Sequence, residues 1–589
     1  MFPQRARRSS FLPAITINTD DGDRYIEFSP GRTLREILDT TAFRVRSGCR
    51  GTGACGLCRV QINTGELAEP SQAERIYLSE GQISSGVRLA CQLRPQSDLG
   101  VSILSREPVS SWRALPGPSL TFPGFSSNLP ECPGKPLGVA VDLGTTHINL
   151  SFYNLSTRQW FAGRRGLNPQ GTYGADVIAR LVAANESQQA ARALRRLVVE
   201  AIGSAIMDVA TREGIRAHEV VKVALVGNTA MLALLSGRNS HLLLQPAYWM
   251  RHIDSLPERP QELCSDWGIH SEATIEVLPP LAGFVGSDLL AGVFAARLVE
   301  NNPGALFIDF GTNSELALWD GESLWVTSAA GGPAFEGCGI GCGTPAEPGA
   351  IYRVRISGPG HTGRNSNTLY KSNKSYYLSY DPAACDPGAQ RSGVLLSDDP
   401  GWRSRLPSLE LRTIDDESPR GFCGSGIVDL IACLVESGKL TSVGRFSAEV
   451  PNGRIVLLDG DRQPLLLTKR DVDIFQRAKA AIFAAARVLL SKASMSPKEL
   501  RRVYIGGAFG HFLNRESAAA VGLVPDLSDD AIELCGNTAL RGCEQLLLSP
   551  GSAQIIEGLR GKAKLVNLAQ CDEFDDFFLQ GLYLGRWAV

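Results

Sequence analysis

Apolar positions in this chain alternate between two periods, one of strands and one of helices. Near the start, residues 14–19 and 24–28 read as short strands around the polar turn Asp20-Asp21-Gly22-Asp23. Thr33-Leu34-Arg35-Glu36 is a capping box, predicting a helix with Leu34, Ile37 and Leu38 turned inward. Further on, 139–143 and 306–310 are apolar runs that each end in Gly-Thr-polar and lead into a second run, at 148–153 and 316–319. Each pair predicts a hairpin. Residues 193–210 put Leu194, Leu197, Val198, Ala201, Ala205 and Val209 on one helical face, and 221–226 is a strand-like run ending in Gly227-Asn228-Thr229 before another helix. The alanine-rich stretch 471–490 predicts a buried helix ahead of a strand at 503–505 that runs into Gly506-Gly507. Such alternation predicts α/β architecture.

Two stretches break the pattern. From Arg106 to Pro136 there are seven prolines, which predicts a linker over 104–136 that is either a semi-extended tether or an ordered spacer packed on the large domain. Residues 357–416 are polar and rich in Gly, Pro and Ser, and predict a long insertion or lid. The expected organisation is therefore a domain over 1–103, the linker, and two lobes over 137–302 and 303–589. At about 150 residues per domain, 589 residues allow about three or four.

Charge narrows the function. With 59 basic and 61 acidic side chains the net charge is −2, so the concentrated Lys and Arg excess needed for nucleic acid is missing. No run reaches the roughly 18 apolar residues of a membrane span, and the basic opening residues lead into no signal-peptide run. A cytoplasmic protein without nucleic acid or membrane as partner is expected.

Fourteen cysteines are too few for a disulfide scaffold in a chain of this length, so their spacing decides their use. Cys49, Cys55 and Cys58 form C-x5-C-x2-C in a loop of Gly, Thr and Ala, and Cys91 follows after 32 intervening residues. Four thiolates suit an iron–sulfur cluster, and small neighbours let backbone N–H groups reach its sulfurs. A four-cysteine zinc site usually has two C-x2-C knuckles, whereas this loop has one. A [2Fe–2S] cluster held by these four cysteines is expected, and the order strand, turn, strand, helix, cluster loop is that of a β-grasp ferredoxin. The spacing resembles that of adrenodoxin-type ferredoxins. Among the other ten cysteines, Cys338 and Cys342 stand out by their closeness.

The two predicted hairpins are copies of one design: Asp142-Leu143-Gly144-Thr145-Thr146 and Asp309-Phe310-Gly311-Thr312-Asn313. In each, glycine closes the turn, the threonine hydroxyl and turn N–H groups can face a phosphate, and the aspartate can hold Mg²⁺ through water or orient an attacking water. Two copies imply two related lobes clamping a nucleotide. Together with Val503-Tyr504-Ile505-Gly506-Gly507, they resemble the phosphate-1, phosphate-2 and adenosine motifs of the superfamily of acetate and sugar kinases, seventy-kilodalton chaperones and actin, whose lobes are ribonuclease H-like. The resemblance implies that Gly506 and Gly507 meet the adenosine of ATP. Gly424 and Ser425, opening a helix, are open to an anion-binding or a structural reading. Glu315 and Asp288 are weaker candidates, because a solvated carboxylate is the default.

With a cluster domain in front of such an ATPase, the chain resembles the reductive activators of corrinoid-dependent enzymes over nearly its whole length. The matching stretches include SGCRGTGACGLC, AVDLGTTHI, NPQGTYGADVIARL, GNTAMLALL, IDFGTNSELAL, GGPAFEGCGIGCGTPAEPGAI, FCGSGIVDLI and IGGAFGHFLN. One position departs from the family pattern: Gly341 stands where a serine often precedes Cys-Gly. The resemblance implies an ATP-hydrolysing protein that takes an electron from a low-potential donor and returns the Co(II) corrinoid of a methyltransferase system to Co(I). A homodimer is also implied. ATP has a reason to be there. [2Fe–2S] centres of plant type lie near about −400 mV, and a deficit of about 100–150 mV for one electron is roughly 2–3.5 kcal/mol. A small-molecule kinase with a redox-sensing ferredoxin domain, an electron-delivery ATPase for another low-potential enzyme, and a chaperone for a corrinoid protein are the rival readings.

Overall fold

In the computed structural model the chain folds as two compact units, with the described residues up to Leu104 in the first and those from Trp112 onward in the second. The structure describes residues 13–18, 23–28, 30–38, 43, 45, 51, 53–104, 112–115, 136–331, 339–356, 369–372, 375–378, 409–414, 419–448, 450, 454–458, 465–507 and 509–587.

The N-terminal alternation forms a five-stranded sheet in the order Arg24–Glu27, Ala14–Ile17, Leu99–Ile103, Arg59–Thr64, Val87–Leu89. Ala14–Ile17 lies antiparallel to its hairpin partner and parallel to Leu99–Ile103, which puts the first and last strands side by side. The predicted capping box closes the helix Leu34–Leu38: Thr33 N donates to Glu36 Oε2 at 2.7 Å and Glu36 N to Thr33 Oγ1 at 3.2 Å. Leu34, Ile37 and Leu38 are buried with Ile15, Ile17, Val60, Leu89 and Val101.

A buried ion pair sets the approach to Cys91. Arg88 donates from Nε and Nη2 to the two oxygens of Glu74 at 2.8 and 2.9 Å, and Leu89 N and Ser71 N add 3.0 and 2.8 Å bonds to the same carboxylate. Burial by itself would raise the Glu74 pKa, but Arg88 and these N–H donors outweigh it and hold the carboxylate below its ordinary value. Helix Gln72–Tyr77 is thereby tied to strand Val87–Leu89, whose end carries Cys91.

The second unit contains two sheets of like construction, each six-stranded among the described residues. The first runs Thr274–Val277, Val220–Gly227, Leu137–Leu143, His147–Asn154, Gln159–Leu167, Arg113–Ala114. The second runs Ile532–Gly536, Arg502–Gly507, Ala305–Phe310, Ser314–Trp319, Leu324–Ala329, Ala563–Leu565. In both, the strand bearing the aspartate is central, antiparallel to its hairpin partner and parallel to a strand from much later in the chain. Strands Leu137–Leu143 and Ser314–Trp319 are buried along their whole length, as expected where helices cover both faces of a sheet. Helices Ser287–Ala295 and Thr538–Leu548 pack so closely that a Cβ on Gly542 would fall 2.1 Å from the carbonyl oxygen of Ala291. The predicted helices form as Gln188–Glu213, Thr229–Ser236 and Lys469–Lys492, the last buried through Phe475, Ile482 and Leu489.

The structure decides between the two readings of one stretch and adds strands to another. Within the predicted linker, Arg113–Ala114 forms an edge strand of the first sheet, paired with Gln159–Leu167. Gly166 and Gly163 explain it: their missing side chains leave room for the Trp112 ring and for Leu115, and Trp112 Nε1 donates to Ser204 Oγ at 3.2 Å. The flanking prolines hid a docking segment too short for a periodic signal, and the rest of 104–136, apart from Leu104 and Pro136, lies outside the described residues. Within the predicted insertion 357–416, Leu369–Ser372, Ser375–Leu378 and Leu409–Thr413 are strands that join Ala350–Ile356 and Gly421–Phe422 in a five-stranded sheet. Leu369–Ser372 and Ser375–Leu378 read LYKS and SYYL, without apolar–polar alternation, so there was no strand period to follow there.

Replacing Arg88 by methionine should cost about 3–5 kcal/mol of stability in the N-terminal unit, because Glu74 is left buried without its partner. Replacing both residues by apolar ones should cost far less. Denaturant unfolding followed on that unit measures this, and equal costs for the single and double variants would contradict it.

Candidate nucleotide and cluster sites

The cluster loop is built by glycines in the left-handed region. Gly51, Gly53 and Gly56 have φ of +92°, +83° and +66°, a conformation that side chains strain. A Cβ on Gly53 would lie 2.8 Å from Ala73 Cβ, and one on Gly56 2.4 Å from the Tyr77 ring. The loop is pinned from outside: Tyr77 Oη donates to Ala54 O, and Arg59 Nε donates to Gly56 O at 3.0 Å. It brings Cys58 to Cys91, with Cys55 near enough for its charge to be felt at Cys58. The Cys58 thiol is held far above its ordinary pKa, first by a hydrogen bond with Cys91, then by burial and by the charges of Cys91 and Cys55. Gln92 Nε2 donates to Cys91 Sγ at 3.4 Å. Thiolates that penalise one another, with an N–H donor aimed at one sulfur, fit the donor set of an iron–sulfur centre, whose cationic irons remove that penalty. Cys49, the fourth predicted ligand, lies outside the described residues, as does Cys338. Cys342 is buried, its thiol pushed up by burial and by Asp471, whose Oδ1 accepts from Gly341 N at 2.7 Å.

In the second unit the two predicted phosphate turns meet. Thr146 Oγ1 and Thr312 Oγ1 lie 3.1 Å apart although 166 residues separate them in sequence. Thr145 and Thr312 are buried, and Gly144 N donates to His147 O as Gly311 N does to Asn313 O, at 3.0 and 3.1 Å. A Cβ on Gly144 would fall 2.7 Å from His147 O. The first turn closes over one residue more than the second, and the two meet at the Thr146–Thr312 contact.

Carboxylates line the same place. Asp142 Oδ2 accepts from Asn149 Nδ2 at 2.9 Å and from Asn537 Nδ2 at 2.7 Å. Burial raises its pKa, and the two amides work against that. Asp309 is pushed up to about 8 by burial and by the charges of Asp288 and Asp142. Asp288 is pushed up to about 7 by burial and by Asp142. Glu315, paired in register with Asp309, is raised well above its ordinary value by burial, Asp288 and Asp309. Asp288, a weak candidate in the sequence, therefore belongs to the group. Four carboxylates sharing one field, Asp142 and Glu315 buried and Asp288 and Asp309 partly so, create a site that a cation or bound donors would relieve. Among the described residues no three His, Cys, Asp or Glu side chains are placed to hold a metal ion by themselves.

The glycine elbow lies beside Asp309. Gly506 and Gly507 pair in register with Asp309 and Phe310, and Gly507 has φ of +77°. A Cβ on Gly507 would fall 2.6 Å from Asp309 Oδ1, and one on Gly506 2.6 Å from Thr538 Oγ1. Close approach of these protein atoms is reason enough for both glycines. Gly424 and Ser425 are buried at the start of helix Gly424–Glu436, where a Cβ on Gly426 would lie 2.1 Å from Ile351 O. Packing on strand Ala350–Ile356 accounts for that turn, and none of the described contacts joins it to the phosphate turns.

Sequence reasoning missed the residues that hold the first turn. Asn168 N donates to Thr146 O at 2.8 Å and Asn168 Nδ2 to Gly144 O at 2.9 Å. Asn228 Nδ2 donates to Thr145 Oγ1 at 2.9 Å. His147 Nε2 and Glu347 Oε1 lie 3.0 Å apart, and Arg113 Nη1 lies 2.7 Å from Glu347 Oε2. Burial and Arg165 hold His147 at about 4, so it is neutral at physiological pH, donating from Nε2 to Glu347 and accepting at Nδ1 from Arg165. A signal was present: Gly-Asn-Thr-Ala occurs at 227–230 and again at 536–539.

Paired phosphate turns between like-built sheets, with a cysteine loop in a separate β-grasp unit, define an iron–sulfur protein fused to an ATP-binding machine of the actin and sugar-kinase type. Three family descriptions cover most of the chain: a 2Fe-2S iron–sulfur cluster binding domain over 17–96, the RACo middle region over 137–301, and the C-terminal domain of RACo, its ASKHA domain, over 304–587. The chain belongs to the RACo family. It is 26% identical over 481 residues to the corrinoid activation enzyme RamQ of Eubacterium limosum, covering 77% of this chain and 71% of that one. It is also 26% identical over 311 residues to the [Co(II) methylated amine-specific corrinoid protein] reductase of Methanosarcina barkeri, covering 52% of this chain and 51% of that protein. A solved reductive activator for a corrinoid, iron–sulfur protein has the same fold, with a TM-score of 0.62 at 23% identity over 98% of both chains. Iron–sulfur and ATP binding follow from the family domains. Among the described residues no helix is long and apolar enough to cross a membrane.

Gly56→Val should abolish the visible absorption of the reconstituted cluster, since both its φ and its contact with Tyr77 exclude a branched side chain; absorption equal to wild type would contradict the loop geometry. A second expectation concerns pH. Asp288 and Asp309 have folded values above those of the unfolded chain, so their contribution to stability is fully present below about pH 4 and lost as pH rises through about 7 and 8. Without nucleotide, the melting temperature of the second unit should fall between about pH 4 and pH 8, and Asp309→Asn should flatten the slope. A slope unchanged in the variant would contradict this.

Proposed function

We propose that this protein is an ATP-dependent reductive activator that passes one electron to the Co(II) corrinoid of a methyltransferase system's corrinoid protein and restores Co(I). The reading rests most heavily on the 3.1 Å approach of Thr146 to Thr312, which makes two lobes into one phosphate clamp on a chain that also carries a cluster loop. Cys49, Cys55, Cys58 and Cys91 would hold the cluster, of [2Fe–2S] type. When bound, it supplies the single electron for cobalt. Cys58 and Cys91 are buried, and Gln92 Nε2 donates to the Cys91 sulfur, so water is kept from part of the site and one sulfur is offered an N–H donor.

Thr145, Thr146, Thr312 and Asn313, with Gly144 and Gly311, would bind the phosphates of ATP, and Gly506 and Gly507 would lie beside the adenosine. Asp142 and Asp309 would take Mg²⁺ through its waters or orient the attacking water, a role suited to carboxylates that do not form a complete metal cage. Asp288 and Glu315 raise the local negative field and so favour a site filled by Mg²⁺ and ATP over an empty one. Because the turns sit on different lobes, ATP binding favours the closed arrangement and hydrolysis releases it. The electron comes from a low-potential donor, the protein works in the cytoplasm, and it acts as a homodimer.

The test is anaerobic. Reduced holoprotein mixed with Co(II) corrinoid proteins should produce the Co(I) absorption spectrum with ATP and far less without it. A Co(I) yield indifferent to ATP would sink the coupling. ATP turnover indifferent to every corrinoid protein tried, together with transfer of phosphate to a small molecule, would favour the kinase reading.

A further inference from the structure

The repeated Gly-Asn-Thr-Ala is used twice in the same way. Each copy ends a strand, Val220–Gly227 or Ile532–Gly536, and opens a helix, Thr229–Ser236 or Thr538–Leu548. In each the asparagine is the N-cap: Asn228 Oδ1 accepts from Met231 N at 3.0 Å, and Asn537 Oδ1 from Leu540 N at 2.9 Å. The cap fixes which end of each amide is oxygen, so the other end is a donor. Both donors go to one hairpin. Asn228 Nδ2 donates to Thr145 Oγ1 at 2.9 Å and Asn537 Nδ2 to Asp142 Oδ2 at 2.7 Å. One asparagine comes from the lobe of the hairpin itself, the other from the opposite lobe.

Capping alone does not call for asparagine. Aspartate and serine cap about as well, and this chain caps other helices with Asp176, Ser187 and Thr468. What asparagine adds is the N–H donor. At Thr145 a donor on the hydroxyl oxygen leaves the hydroxyl proton to be given elsewhere. At Asp142 two donors, Asn149 and Asn537, occupy Oδ2, and the carboxylate keeps Oδ1 for other partners.

We propose that Asn228 and Asn537 are positioning residues for ATP turnover, Asn228 by directing the Thr145 hydroxyl proton toward phosphate and Asn537 by fixing Asp142 from the opposite lobe. The proposal rests on the reading of this hairpin as a phosphate site and adds to it how the hairpin's donors and acceptors are set. No covalent step is altered. The asparagines determine which atoms the turn offers as donors and which as acceptors.

Full-length holoprotein carrying Asn228→Asp, Asn228→Ser, Asn537→Asp or Asn537→Ser tests this, because all four keep a cap oxygen and lose the amide donor. The serine variants add no charge, so they remain informative where a buried aspartate prevents folding. Asn228 variants should raise KM for MgATP about tenfold, and Asn537 variants should lower kcat about ten- to a hundredfold with a smaller change in KM. Cluster absorption should stay at the wild-type value, and the serine variants should melt within a few degrees of wild type. Asn567→Asp, at an asparagine that caps the short 3-10 helix Leu568–Gln570 by accepting from Ala569 N, is the control for loss of a capping amide away from the phosphate turns and should leave turnover unchanged. Turnover within about threefold of wild type in all folded variants would overturn the proposal, as would losses that only track the fraction of unfolded protein or that recur in the control. Wild-type protein that neither binds nor hydrolyses MgATP would instead defeat the phosphate reading itself.

Discussion

The contact between Thr146 and Thr312 is the point on which the second unit turns. Two hairpins far apart in sequence can place hydroxyls 3.1 Å apart only if each closes tightly and each is carried by the central strand of its own sheet. The two sheets satisfy this by having the same strand order, and the two interlobe helices satisfy it by packing at glycine. Buried carboxylates converge on the same place, so the architecture concentrates negative charge where a nucleotide brings its own cations. A site of this kind is least stable empty, which gives the binding of MgATP a handle on the arrangement of the lobes.

The N-terminal unit solves a different problem with similar means. Positive-φ glycines shape the loop that carries Cys55 and Cys58, while the buried pair Glu74–Arg88 fixes the strand that brings Cys91 to Cys58. Each element does what hydrophobic burial cannot do alone, since a cluster loop has few apolar atoms to bury. In an account where one electron must be raised by about 2–3.5 kcal/mol, the cluster loop and the phosphate clamp are two halves of one task. Differences in binding of that size lie well within what nucleotide-dependent closure supplies.

Much of this was legible in the sequence, and for identifiable reasons. The hairpins could be read because the Asp-x-Gly-Thr turn recurs between apolar runs, and the cluster loop because thiol spacing reflects ligand geometry. Asp288 was underrated, since a carboxylate in an apolar helix start gives no sign of which charges will face it. The edge strand Arg113–Ala114 was hidden among prolines because its docking depends on two glycines fifty residues away, Gly163 and Gly166. The supporting asparagines were missed for a related reason: a cap residue reads as local, and its second hydrogen bond appears only when the chain is folded.

The most direct test of the whole account is an equilibrium measurement. The fraction of Co(I) formed by the reduced protein and its corrinoid partner is read at a fixed solution potential, with ATP present and absent, for wild type and for Thr312→Val. The account predicts that ATP raises that fraction in wild type and leaves it unchanged in the variant, although the variant keeps its cluster spectrum. An ATP effect of equal size in both proteins would contradict it.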